Sequence, residues 1–477
     1  MIKKIVIALT AMLIIGCKNE NKSAATETQK EIAKFSPEVE ENAVIYEVNI
    51  RQYSPEGTFN AFTKDIPQLK ELGVKIIWVM PIFPISQTKR KATGGDDSKF
   101  ASEMPKEEQH KYLGSYYAVS DFKKVNPEFG TIEDFRNLVK TAHDNGIYVI
   151  LDWVPNHTGW DHVWIKNHPE YYTKNAKGEI IDPINPETGK SWGWSDVADL
   201  NYDNQGLRKE MTADMLHWIK NEDIDGFRCD VASNVPLDFW KQAIPQLRKE
   251  KNIFMLAEAW EPELLKEGLF DMAYGWEAHH TMNRIAQGKN TVADWDKFMV
   301  ENEKKYKNND ILMNFVDNHD ENSWNGTTKS RLGKAEETMT VLSYIMPGMP
   351  LIYSGNEYGL NHSLKFFEKD SIPKTKGDAW ELRAKLGKLK SEKDALNGGK
   401  NKASYTKIKT SDNSNVLAFE RIKDTKKIIY LANLSNKSVI INASLNGNFI
   451  DLMTNKKIKI DSKTPIALSP WQYFILE

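Results

Sequence analysis

Cysteine is nearly absent: two residues in 477, Cys17 and Cys229. An internal disulfide framework is therefore not expected, even in an oxidising compartment. An excess of one charge is missing too. Lys and Arg number 64 and Asp and Glu 66, for a net charge of −2. Nothing in that balance draws nucleic acid or acidic lipid to the surface. The one long apolar run, 5–15, is too short to span a bilayer. Histidine patterns that bind a catalytic metal are lacking as well. There is no His-Glu-x-x-His, and the first strand candidate, 44–50, holds no His. That argues against a metal-dependent barrel hydrolase.

What is present begins with a leader. Lys3 and Lys4 precede the apolar run, which ends in Ile14-Ile15-Gly16-Cys17. A small residue followed by Cys is the pattern of a bacterial lipoprotein signal. Residues 1–16 are then the signal, and Cys17 is the lipidated mature N-terminus. Residues 17–42, polar and rich in Lys, Glu, Asn, Thr and Ala, read as a flexible tether. The expected location is the cell envelope, with membrane contact only through the lipid. A monomer is expected.

The remaining length is too great for one core. Apolar runs at 44–50, 74–80, 147–154, 226–231, 253–258, 270–274, 311–316 and 351–354 alternate with helix-length amphipathic segments such as 134–145 and 207–221. Eight βα units predict an α/β fold, a (β/α)8 TIM barrel over 43–394. Two connections are over-long: 86–113 after the second strand and 155–200 after the third, the latter an excursion domain. Both lie on the C-terminal face, where barrel active sites are built. From 395 to 477 short strands (416–421, 427–434, 438–441, 448–452, 456–460 and 471–476) alternate with Asn, Gly, Ser and Asp turns. They predict a C-terminal antiparallel β-sandwich domain.

Carboxylates close several barrel strands: Asp152 the third, Asp230 the fourth, Glu258 the fifth, with Asp317 and Asp320 after the seventh. A carboxylate at such a position is costly to bury unless it is paired. Convergence of several on one mouth points to chemistry. In a strand, alternate residues face one side, so Arg228 and Asp230 point into the mouth while Cys229 points to the helices. Arg228 is expected to keep Asp230 ionised and nucleophilic. Glu258 follows the apolar Met255-Leu256-Ala257, where desolvation is expected to raise its pKa and make it an acid. Such a pair, typically about 5–5.5 Å apart, is the retaining glycosidase arrangement. With 14 Trp and 17 Tyr the chain also has many flat faces on which sugar rings stack, although most of these belong to cores.

Taken together, these motifs resemble glycoside hydrolase family 13, the α-amylase family, over roughly 43–477. Asp152-Trp153-Val154-Pro155-Asn156-His157, Gly226-Phe227-Arg228-Cys229-Asp230, Glu258 and Phe315-Val316-Asp317-Asn318-His319-Asp320 stand in the family's order. Ala198-Asp199-Leu200-Asn201 resembles the motif closing the excursion domain. Tyr116-Tyr117-Ala118-Val119-Ser120-Asp121 resembles the segment whose Tyr stacks on the reacting sugar. The resemblance implies an α-glucan substrate, Asp230 as nucleophile, Glu258 as acid/base and Asp320 as the third carboxylate. It implies sugar contacts from Tyr117, His157, Arg228 and His319. It also implies Ca2+ held by Asn156 and Asp199, with a backbone carbonyl near Asn234.

The sequence departs from the family pattern in places. Ser233 and Asn234 stand where the family's α-amylases often have Lys and His, and Ser115 replaces a His. Recognition on the leaving-group side is therefore open. Val231 is a residue found there in members that accept α-1,6 links. The expected activity is retaining hydrolysis of α-1,4 bonds in starch- or glycogen-like glucans, at internal positions, because the aromatic excursion domain suits a groove with several sugar sites. Transglycosylation and exo-acting α-glucosidase action share the same residues and remain alternatives, and an inactive sugar-binding relative is a third.

Overall fold

The computed structural model describes residues 35–477 except 37, 96 and 186; the leader and Cys17 lie outside the described residues. The barrel follows from strand parity. In the first strand, Val44–Val48, Ile45 faces the barrel axis, and Val44, Tyr46 and Val48 face the surrounding helices. The same alternation puts Ile76 and Trp78, Ile150, Phe254 and Leu256, Met272 and Tyr274, and Ile311 and Met313 inside. The other strands are Val74–Val79, Tyr148–Trp153, Gly226–Cys229, Phe254–Ala257, Met272–Tyr274, Ile311–Asn314 and Met349–Tyr353. Each pairs in parallel with the next, and the eighth closes on the first. The fourth strand can begin only with glycine. Gly226 has φ +146°, and a Cβ there would lie 1.9 Å from the Phe254 carbonyl oxygen of the fifth strand.

Local signals set the helices. In Ile132–Asp144, Thr131 and Asp134 form a capping box, and Phe135, Leu138, Val139 and Ala142 make the buried stripe. Each large apolar side chain so buried contributes roughly 1.5–3 kcal/mol. No helix among the described residues is long and apolar enough to cross a membrane.

The excursion domain is pinned to the barrel by a two-stranded ladder, His157–Gly159 with Val197–Asp199. The C-terminal domain is a β-sandwich of a six-stranded antiparallel sheet and a two-stranded sheet, with Val416, Ile429, Leu431, Ile441 and Leu468 in its core. Two of its strands, Thr406–Lys407 and Ile466–Leu468, are short and were not expected. Its final strand starts at Tyr473 rather than 471, after Trp471 at φ +60°.

The expected tether over 17–42 is corrected at its end. Phe35 is buried and stacks on Tyr148, with ring centroids 3.9 Å apart. Val39 is buried in the helix Val39–Asn42. Phe35 and Val39 both pack into the apolar layer at the barrel's N-terminal end, so the fold begins before residue 43.

Candidate active site

The parity that fills the barrel with apolar side chains places polar ones at its C-terminal end. One step beyond the apolar layers, the inward positions become Glu47, Trp78, Asp152, Arg228 and Tyr274, all fully or almost fully buried. Arg228 is the centre. Its Nη1 donates to Asp152 Oδ1 at 2.9 Å and to Asp230 Oδ1 at 3.0 Å, and its Nε donates to the Tyr274 hydroxyl at 3.1 Å. Its Nη2 lies 2.7 Å from Glu258 Oε2, an ion pair at an angle outside hydrogen-bond geometry. One guanidinium thus holds three carboxylates, and its flat fork is the side chain able to do so.

The three carboxylates differ in what else they meet. Asp152 is sealed: Oδ2 also accepts from Trp78 Nε1 at 3.0 Å and from the Tyr117 hydroxyl at 3.1 Å. Asp230 and Glu258 instead line a cavity of about 700 Å3, a size that encloses a small multi-ring ligand. Tyr117, His157, His319 and Asp320 line it too. Asp320, with 37% of its side chain exposed, is the most open of the expected catalytic carboxylates.

One electrostatic expectation is corrected. Arg228 does not by itself set the charge of Asp230. Burial pushes that carboxyl well up, Arg228 pulls it back, and Glu258 and Asp152 push it up again. The apolar run before Glu258 ends at Ala257. The Glu258 carboxylate itself accepts the Val231 N–H at 2.8 Å and faces Arg228. Val231 donates from a strained backbone, φ +36°, which a β-branched residue rarely adopts. The turn after Asp230 is therefore tied to Glu258.

His319 stands apart from a free sugar ligand. Nδ1 lies 2.5 Å from Glu47 Oε1, and Nε2 lies 2.8 Å from the Tyr117 hydroxyl. Burial opposes charging the ring, but Asp320 and Glu47 overcome it and raise its pKa to about 9. Burial also pushes the Glu47 carboxyl up, with His319 pulling it back. We place the proton on His319, because Tyr117 donates to Asp152 and so accepts from Nε2–H. His157, in contrast, is held neutral by burial, with its pKa near 3, and its ring packs 5.7 Å from that of Trp194.

Asn156 and Asp199 are brought together by the excursion ladder, where Leu200 N donates to Asn156 O and His157 pairs with Asp199. Burial raises the Asp199 carboxyl to about 6. Two side-chain oxygens are few against the six to eight that Ca2+ takes. Among the described residues no group of three His, Cys, Asp or Glu could hold a metal. The side chains fit a cation only in part, and backbone carbonyls and water would have to complete the shell.

Glu47, Trp78 and Tyr274 were not singled out in the sequence. The signal for Glu47 was available: an acid in phase with Ile45 on a barrel strand.

Comparison with known proteins agrees with the architecture. Residues 21–414 match the model of the alpha-amylase catalytic domain, and residues 407–475 match that of the maltogenic amylase C-terminal domain. Alpha-amylase MalA of Haloarcula japonica is 25% identical over 68% of this chain, which spans 45% of that protein. Alpha-amylase 3 of Dictyoglomus thermophilum is 25% identical over 91% of this chain and 93% of its own length. The crystal structure of a noncanonic maltogenic alpha-amylase, AmyB from Thermotoga neapolitana, superposes with a TM-score of 0.78 at 26% identity, covering 91% of this chain and 98% of that one. With the catalytic-domain match extending over most of its length, the chain belongs to the α-amylase family.

Proposed function

We propose that this glycoside hydrolase cleaves α-1,4-glucosidic bonds of starch- or glycogen-like glucans and maltooligosaccharides with retention of configuration. The observation that carries this reading is the pairing of Asp230 and Glu258, from adjacent strands, on one buried guanidinium at the wall of one cavity. Glu258 protonates the glycosidic oxygen while Asp230 attacks the anomeric carbon. The leaving chain departs with that proton, and a glycosyl ester forms on Asp230. Glu258, now a carboxylate, takes a proton from water, which opens the ester and frees Asp230. Tyr117 offers its ring to the reacting sugar, and His157 and Asp320 face its hydroxyls. A fluorinated glucosyl inhibitor is expected to label Asp230. Asp230→Asn is expected to remove turnover by several orders of magnitude while leaving the melting temperature equal or higher, since a costly buried carboxyl is gone. Label on another carboxylate would sink the assignment. Products longer than the substrate would favour transglycosylation.

Calcium enters the proposal only as a pin. Asn156 and Asp199 would hold it between barrel and excursion domain, and no step of the reaction passes through it. Lipidation at Cys17, a cell-envelope location and action as a monomer complete the proposal. The lipidation and the location are supported by the leader motif.

A further inference from the structure

The long connection after the second strand does not simply rise beside the cavity. It is fastened at two places on opposite sides of it. On the excursion-domain side, the backbone N–H groups of Gln87 and Thr88 donate to Asp161 at 2.8 and 3.1 Å. Lys91 donates to the Gly193 carbonyl at 3.0 Å and pairs with Asp196 at 3.3 Å, with both side chains at most 10% exposed. On the other side the segment reaches Trp324, beyond the seventh strand. A Cβ added to Gly94 would lie 2.5 Å from the Trp324 ring, and the Phe367 ring is next at 3.5 Å. Trp324 itself packs on Phe366, with centroids 5.1 Å apart. Lys91, Gly94 and Trp324 line the same cavity as Asp230 and Glu258.

Residues 87–94 therefore span the arc from the third strand past the second to the loops of the eighth and seventh. Glu258 is on the opposite arc. There the helix Trp276–Ala286 starts one residue after the sixth strand, and no comparably long connection follows the fourth. A leaving chain must lie toward the residue that protonates it, so it occupies the Glu258 side. The glycosyl unit joined to Asp230 extends the other way, toward the wall.

We propose that residues 87–94, clasped by Lys91–Asp196 and butted against Trp324, make the donor side of the cleft blind, so that the enzyme works inward from non-reducing chain ends and releases one short saccharide length. This replaces the open groove expected from the sequence. It rests on the proposed retaining hydrolysis of α-glucans, but it concerns product length and not chemistry.

The test uses the full chain on maltooligosaccharides carrying a chromophore at the reducing end, with soluble starch in parallel. The wild type is expected to shorten the labelled substrate by one fixed number of glucosyl units in the first minutes, while starch size holds. Trp324→Ala opens the wall from one side and Lys91→Met from the other. Each is expected to replace the single length by a spread and to speed the fall in starch size. A spread from the wild type, or a single length kept by both variants, overturns the proposal. Failure of the underlying reading shows differently, as no cleavage at all or as inverted products by NMR.

Discussion

Replacing Arg228 with Lys keeps one positive charge and removes the fork. An ammonium cannot serve Asp152, Asp230, Glu258 and Tyr274 from the positions the guanidinium nitrogens occupy. A charge-assisted hydrogen bond is worth roughly 1.5–3 kcal/mol. If the Asp230 bond is the one lost, that free energy appears as a rise in its pKa. The sign follows from the direction of the pull: Arg228 lowers the Asp230 pKa, so losing it leaves Asp230 protonated to higher pH. The acid limb of the pH profile of kcat/KM is then expected to move up. Activity at neutral pH should fall by about 10–100-fold and recover in part on raising the pH. The folded protein should also be less stable by about 3–5 kcal/mol, as for a broken buried pair. The assay is the rate on a chromogenic maltooligosaccharide across pH, with thermal melts alongside. An acid limb that stays in place or moves down, in a protein that is folded, would refute the reasoning.

Three further outcomes are expected. The His319 pKa is raised from 6.5 to about 9, so its stabilisation is fully present below pH 6.5 and lost as pH rises through about 9. Glu47→Gln is expected to flatten the melting temperature across that window, and superimposable wild-type and variant curves would count against the pairing. Cys17→Ser is expected to move the protein from membrane to soluble fractions, and a mature chain that begins elsewhere by mass spectrometry would refute lipidation. EDTA is expected to lower the melting temperature and added Ca2+ to restore it, with turnover unchanged well below the transition; a melting temperature indifferent to both would remove calcium from the proposal.

What could be read from the sequence was what repeats. The eight strands announced themselves because apolar runs recur at βα spacing, and the catalytic candidates because acids end those runs. Parity then predicted that Arg228 and Asp230 face one way, and the 3.0 Å bond between them agrees. Trp78 and Tyr274 were hidden by their company. A strand buried on both faces reads as continuously apolar, so nothing marks which aromatic meets a charge. Phe35 sits beyond a polar stretch and looked like part of the tether. The contact of Gly94 with Trp324 joins two loops 230 positions apart, where no periodicity carries information. The proposed cleavage mode depends on that contact, which the sequence, read as a groove, did not show.

The site's electrostatics also explain why its groups work as a set. Five carboxyl groups, Glu47, Asp152, Asp230, Glu258 and Asp320, share two cationic partners, Arg228 and His319. Four of the five are largely or wholly buried. Full ionisation would leave uncompensated negative charge in a poorly solvated place, which is expensive. Burial accordingly raises the Asp230, Asp152 and Glu47 carboxyls alike. Their titration belongs to the coupled group rather than to one member. In the proposed reaction, positive charge grows on the sugar ring as the glycosidic bond breaks, and the ring becomes the cation the cluster lacks. That stabilisation would appear only at the transition state, where it lowers the barrier instead of tightening ground-state binding.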